Sequence, residues 1–241
     1  MAVDLLVFGP HPDDLEIGVG GIVARHAALG FSVGLCDLTA GELGSNGTVE
    51  ERLTESEAAR KVLGAAWREN LRWPDRQIGK DPAHLNDAVR FIRQHRPRVV
   101  AAPHWIDRHP DHAAASVVVT EAVFNSGLRK YSPAGDVGTL GEPWKVEWIC
   151  HYFINDGASP SFVVDVSEYY DRKRRALDCH SSQFKAGPNA VGTRLNSPLF
   201  RQLIESRDAQ FGAQAGVTWA EGLVVREPVV RQTLFKESTS Q

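Results

Sequence analysis

Val3-Asp4-Leu5-Leu6-Val7-Phe8-Gly9 is a short apolar run that breaks at Gly9-Pro10 and opens into His11-Pro12-Asp13-Asp14. A run of this length ending at a Gly-Pro turn reads as a buried strand. A second stretch repeats the arrangement: Arg98-Val99-Val100-Ala101-Ala102-Pro103 leads towards His109-Pro110-Asp111-His112. Between them the pattern alternates. Ile17 to Leu29 is apolar at helical spacing and closes at Gly30, a C′ glycine. Phe31 to Thr39 reads as a second strand. Thr48 to Leu63 reads as a helix ending at Gly64, Leu71 to Trp73 as a short third strand, and Pro82 to His95 as a helix. An Ala/Val-rich helix over Ala113 to Asn125 follows the second motif. This order predicts an α/β fold, with a Rossmann-like, mostly parallel sheet flanked by helices over residues 1–128. In such sheets ligands sit beyond the carboxyl ends of the strands, near the point where strand order reverses. The two motifs follow the first and fourth strands, which can be neighbours at that point.

After Gly127 the pattern loosens. Tyr131 to Trp144, with Pro133, Gly135, Gly138, Gly141 and Pro143, reads as a long loop. Val146 to Asn155 and Ser161 to Val166 read as strands, Ser167 to Cys179 as a charged helix, Gln183 to Ser197 as loop, and Pro198 to Gly212 as a helix. Glu237 to Gln241 reads as a frayed end. Residues 129–241 are therefore expected to form a smaller C-terminal extension that completes the cleft of a single domain.

Composition narrows the function classes. The chain has 241 residues and is 42% hydrophobic, enough for one sizeable core. Its net charge of −3 gives no reason to expect nucleic acid or a membrane surface as partner. No stretch approaches the roughly 20 apolar residues of a spanning helix, and Met1 to Pro10 lacks the basic region of a signal peptide. Cys36, Cys150 and Cys179 show no CxxC spacing and read as reduced thiols in a cytoplasmic protein.

The chemistry lies in the two motifs. Imidazoles and carboxylates bind a borderline metal such as zinc, and a catalytic zinc site has three protein ligands and one open position. His11 and Asp14, three apart, can point at one ion, with Pro12 stiffening the turn between them. His112 is the natural third ligand. Asp13 is then a spare carboxylate beside a metal-activated water, the position of a general base. Taken alone, His11-Pro12-Asp13-Asp14 could also be a turn whose aspartate caps the next helix. Two such motifs after two apolar strands favour the metal.

Gly9-Pro10-His11-Pro12-Asp13-Asp14-Leu15-Glu16 with His109-Pro110-Asp111-His112 resembles the LmbE/PIG-L family of zinc-dependent N-acetylglucosaminyl deacetylases. Gly41-Glu42-Leu43-Gly44, Asp107-Arg108, His180-Ser181-Ser182-Gln183, Glu205-Ser206-Arg207-Asp208 and Ala220-Glu221-Gly222 resemble the branch that deacetylates N-acetylglucosaminyl-malate in bacillithiol biosynthesis. The resemblance implies that His11, Asp14 and His112 hold the metal and that Asp13 is the general base. It further implies that His109 donates to the oxyanion or the leaving amine, and that Asp111 orients His109. Asp107 stands where some members carry a tyrosine. Ferrous iron accepts the same ligands as zinc. The implied partner is a small N-acetyl sugar conjugate, and a homo-oligomer is compatible with the family.

On the substrate side, Arg52 follows the Gly41 to Thr48 loop, and a guanidinium binds a malate carboxylate in bidentate fashion. Arg108 has similar chemistry, and Glu42 could bind sugar hydroxyls. Two readings from other classes compete. Gly18-Val19-Gly20-Gly21 hints at a dinucleotide-binding oxidoreductase, but Val23 stands where the third glycine is required. A non-catalytic sugar-binding module with a structural metal would need a fourth protein ligand.

Overall fold

A computed structural model describes residues 2–132, 140–185, 187 and 190–230. Its elements are β1 Leu5–Gly9, α1 Asp14–Ala28, β2 Val33–Thr39, α2 Val49–Leu63, β3 Trp67–Trp73, α3 Pro82–His95, β4 Val99–Pro103 and α4 Pro110–Ser126. These are followed by β5 Trp148–Tyr152, β6 Phe162–Asp165, α5 Tyr170–Cys179, α6 Ser181–Phe184, α7 Pro198–Ala215 and β7 Ala220–Val224. The seven strands form one sheet in the order β3-β2-β1-β4-β5-β7-β6. β1 to β5 are parallel, and β7 runs antiparallel to both β5 and β6. The expected α/β fold with a mostly parallel, helix-flanked sheet is therefore present.

β1 explains why the sheet is covered on both faces. Leu5 and Val7 join one apolar cluster with Leu15, Val23 and Leu35, while Leu6 and Phe8 join the other with Cys36, Val89 and Val100. Both sides of the strand are therefore buried, as parallel sheets require. Leu6, Val7 and Phe8 are each fully buried, contributing about 1.5–3 kcal/mol apiece. The helix starts are locally encoded. Thr48 and Glu51 form a reciprocal capping box on α2, Asp81 and Ser197 cap α3 and α7, and a proline opens α3, α4 and α7.

Three elements depart from the sequence reading. β3 is seven residues rather than three, because Arg68 breaks the apolar pattern yet is buried in ion pairs with Glu16 and Asp37. The helix expected from Ile17 begins at Asp14, inside the first motif. β7, unseen in the local pattern, inserts between β5 and β6. The loop expected over Tyr131 to Trp144 lies partly, and the frayed end at Glu237 to Gln241 wholly, outside the described residues. Among the described residues no helix is long and apolar enough to cross a membrane. Cys36 and Cys150 are buried and Cys179 half-buried, and all three are free thiols.

Candidate metal centre

The strand order reverses between β1 and β4, and each of these strands delivers one motif at its carboxyl end. α1 starts at Asp14, so the first motif is the turn into that helix. α4 starts at Pro110 and is capped by His109, whose Nδ1 accepts the Asp111 N–H at 3.2 Å. Adjacency of β1 and β4 brings the halves together: the rings of His11 and His112 lie 5.6 Å apart, and those of His11 and His109 4.9 Å apart.

Asp14 Oδ2 is the meeting point. It lies 3.1 Å from His11 Nδ1 and 3.3 Å from His112 Nε2, and it accepts the His11 backbone N–H at 3.0 Å. His112 Nε2 is buried with no hydrogen-bond partner among the described residues, although it points towards that carboxylate. The far side of each ring is held by carboxylates. His11 Nε2 lies 3.2 Å from Asp75 Oδ1 and 3.3 Å from Asp111 Oδ2, and His112 Nδ1 lies 3.0 Å from Asp107 Oδ1. Those carboxylates are themselves fixed. Asp107 accepts N–H bonds from His109 at 2.8 Å and Asn155 at 3.0 Å. Asp111 accepts from the backbone N–H and Nη1 of Arg76, and Asp75 from the Leu43 N–H. An imidazole with a carboxylate on one nitrogen is oriented to offer the other to a cation. Two compact sets of potential donors share His11: His11 with His109 and His112, and His11 with Asp75 and Asp111 at its Nε2.

The electrostatics follow from this crowding. Burial opposes charge on His112, but Asp14 and Asp107 outweigh it and raise its pKa to about 9. Burial likewise opposes charge on His11, and Asp111, Asp14 and Asp75 overcome it and push the pKa well up. Asp14, whose burial favours the neutral form, is driven well below the usual carboxylate range by His112 and His11. The pocket thus calls for positive charge at the two imidazoles, and a divalent cation answers the same demand. The donor set therefore fits a zinc-like ion.

Asp13 and His109 behave differently. Burial pushes the Asp13 carboxyl up to about 6, against the lowering pull of Arg52. Its backbone is at φ 121°, a region rare for a residue with a side chain. The His109 pKa is lowered, first by burial and then by His112 and His11. With Nδ1 accepting the Asp111 N–H, the neutral ring carries its proton on Nε2. His11, Asp13, Asp14, Arg52, Arg108, His109 and His112 all line one cleft of about 410 Å³.

Three expected roles meet a different placement. The Asp111 carboxylate does not reach His109; it faces His11 and Arg76, and only the Asp111 backbone N–H touches the His109 ring. The Arg52 guanidinium is buried and already committed: Nη1 donates to Gly41 O at 2.7 Å, and Nη2 to Pro12 O at 2.8 Å and Asp13 Oδ2 at 3.4 Å. Gly41 has φ +65°, and a Cβ there would overlap this guanidinium. Arg52 thus holds the Asp13 turn through both terminal nitrogens, and Nε alone has no hydrogen-bond partner among the described residues. Glu42 accepts the Asp75 N–H at 2.6 Å and so braces the residue that faces His11. Arg108 is exposed and lines the cleft. Sequence reasoning missed Asp75, Arg76, Asn155 and the role of Asp107. Asp75 carried one signal: it follows β3, at the same carboxyl edge as both motifs.

The chain is similar to known proteins over most of its length. Residues 6–123 match the PIG-L family, described as GlcNAc-PI de-N-acetylase. The chain is 29% identical to the diacetylchitobiose deacetylase of Thermococcus kodakarensis over 91% of this chain and 81% of that protein. It is 26% identical to the 1D-myo-inositol 2-acetamido-2-deoxy-alpha-D-glucopyranoside deacetylase of Rhodococcus opacus, covering 83% of this chain and 88% of that one. The crystal structure of a conserved protein from Thermus thermophilus superposes with a TM-score of 0.86 at 38% identity, covering 98% of this chain and 100% of the other. The two histidine–aspartate motifs at the β1 and β4 edges, the fold and these matches together place the chain in the PIG-L family of de-N-acetylases.

Proposed function

We propose that this protein hydrolyses the acetamide of an N-acetylglucosaminyl conjugate, with a divalent cation held by His11 Nδ1, Asp14 Oδ2 and His112 Nε2. One observation carries the reading: the nitrogens of His11 and His112 that face Asp14 converge on a single carboxylate oxygen while their far nitrogens are held by Asp75, Asp111 and Asp107. His109 stands within ligand reach of His11 and His112, but among the described residues its Nδ1 is held by the Asp111 N–H and not by a carboxylate, which supports a donor role for it. Zinc is the proposed ion, with ferrous iron the alternative for the same donors.

When bound, the ion lowers the pKa of a water to roughly 7 and polarises the acetamide carbonyl. Asp13 takes the proton of the attacking water and returns it to the leaving amine. Arg52 keeps that carboxylate aimed, anchored on the Gly41 and Pro12 carbonyls. His109 donates its Nε2–H to the developing oxyanion. Asp75, Asp107 and Asp111 orient the ligand imidazoles.

Relatives act on diacetylchitobiose and on a GlcNAc-inositol, so the shared element is an N-acetylated glucosamine. The finer proposal is N-acetylglucosaminyl-malate, in the cytoplasmic synthesis of bacillithiol. It is supported by the motifs resembling that branch and by two exposed arginines, Arg108 and Arg194, which line the cleft. The test is amine release from N-acetylglucosamine conjugates bearing malate, inositol or no aglycone, with and without chelator. Chelator-sensitive release, fastest on the malate conjugate, is expected. Release that survives full metal removal overturns the metal reading, and preference for inositol overturns the finer one.

A further inference from the structure

α1 is broken. Val19, at φ −141° and ψ 21°, interrupts it within Gly18-Val19-Gly20-Gly21. The break exposes backbone donors, and one buried carboxylate takes them: Glu221 Oε1 accepts from Gly21 N at 2.9 Å and Oε2 from Ile22 N at 2.6 Å. The amides of Gly21 and Ile22 are therefore taken by a carboxylate and are not free to cradle a phosphate. Glu221 belongs to a fully buried charge cluster. Lys173 Nζ bridges Glu221 Oε1 at 2.7 Å and Asp208 Oδ2 at 2.6 Å, and Asp208 Oδ1 accepts from Arg207 Nε at 3.0 Å. Gly20 permits the approach: a Cβ there would sit 3.1 Å from Lys173 Cγ.

Arg207 then reaches out of the cluster in two directions. Nη2 donates to Ile17 O at 2.8 Å, the open carbonyl end of the first half of α1, three residues beyond Asp14. Nη1 donates to Phe153 O at 2.9 Å and Ile154 O at 3.1 Å. The next residue, Asn155, donates to Asp107, which orients His112. One guanidinium thus ties the half-site on α1 to the half-site on α4.

We propose that Arg207, held by Asp208, Lys173 and Glu221, is a positioning residue that sets the separation of Asp14 and His112. The proposal rests on the metal site proposed above. A lysine at 207 keeps a cation beside Asp208 but has one ammonium in place of a planar fork, so it cannot hold both carbonyl sets. Tyr170 serves as the control: its hydroxyl donates to Asp208 Oδ2 at 3.0 Å, not to the Oδ1 that holds Arg207.

The experiment is zinc affinity by chelator competition, with Tm, for the wild type, Arg207→Lys and Tyr170→Phe. Arg207→Lys is expected to bind zinc 10–100-fold more weakly, the usual cost of disturbing residues behind metal ligands. Tyr170→Phe is expected to stay within twofold of the wild type while its Tm falls by a few degrees. Equal zinc affinity in Arg207→Lys and the wild type overturns the proposal, as does an equal loss in Tyr170→Phe. A second measurement needs no variant. Coupling is reciprocal, so zinc must tighten what tightens zinc. Hydrogen exchange of the wild type should slow together over 17–22 and 153–155 on zinc addition, and unchanged exchange at either segment overturns the proposal. If the wild type binds no zinc, or His112→Ala binds as well as the wild type, the metal reading has failed instead.

Discussion

Asp13→Asn separates chemistry from stability at one atom. Asp13 is 2% exposed, and burial raises its carboxyl from 3.8 to about 6. A carboxylate whose folded pKa is raised contributes stability that is present below the unfolded pKa and is lost as pH rises through the folded one. The shift of roughly two units, at 1.36 kcal/mol each, means that the ionised group costs the metal-free fold about 3 kcal/mol above pH 6. Asparagine keeps the shape and an acceptor for Arg52 without the charge. The metal-free variant should therefore be more stable than the metal-free wild type at pH 8, by up to about 3 kcal/mol, and the difference should shrink towards pH 4. At 1 kcal/mol per roughly 2–4 °C for a chain of this size, the gain reads as several degrees of Tm. Turnover should move the other way. The three ligands are untouched, so metal stays, while loss of a positioned base lowers kcat/KM by about 10²–10⁴. In the wild type the base works only when ionised, so kcat/KM rises with pH through an acid limb. A bound cation favours the carboxylate, placing that limb at or below about 6. The assays are thermal unfolding of the metal-free proteins at pH 5 and pH 8, metal content, and kcat/KM against pH. Near wild-type turnover with metal bound refutes the base assignment. A stability difference independent of pH refutes the buried-charge account.

Other substitutions probe the remaining roles. His109→Ala should retain metal and KM and lose about 10²–10³ in kcat, measured by amine release, because a single oxyanion donor is removed. Asp107→Asn replaces the acceptor of the His112 Nδ1 proton with a weaker one and should weaken metal affinity about 10–100-fold in chelator competition. Arg52→Ala should lower kcat equally for malate-bearing and plain N-acetylglucosamine substrates, since its fork is spent on Gly41, Pro12 and Asp13. Arg108→Ala should raise KM for the malate conjugate alone, and the ratio of KM values across the two substrates checks both arginines.

The sequence made the sheet legible through periodicity and punctuation. Apolar runs ending at Gly9-Pro10 and Pro103 mark the two strands whose carboxyl ends carry the motifs, and those strands do pair side by side. What it concealed is non-local. Arg68 looks like a strand breaker until Glu16 and Asp37 arrive from α1 and β2 to neutralise it. β7 forms only because β5 and β6 leave a place between them, and nothing near Ala220 in the chain announces that. Arg52 presents an unpaired guanidinium in sequence, and only the fold shows it turned back onto the Gly41 and Pro12 carbonyls. Asp75 carries no motif of its own, and its part comes from standing behind His11 once β3 has joined the sheet.

The central claim is where the cation sits. His11 has Asp14 at Nδ1 and Asp75 and Asp111 at Nε2, so the proposed position and the His11–Asp75–Asp111 set lie at opposite edges of one ring. Anomalous diffraction at the zinc edge from crystals of the zinc-loaded protein distinguishes them directly. The account predicts a single peak bonded to His11 Nδ1, Asp14 and His112 Nε2, at about 2.0–2.2 Å from each. A peak bonded instead to His11 Nε2, Asp75 and Asp111, or to His109 in place of Asp14, would contradict it.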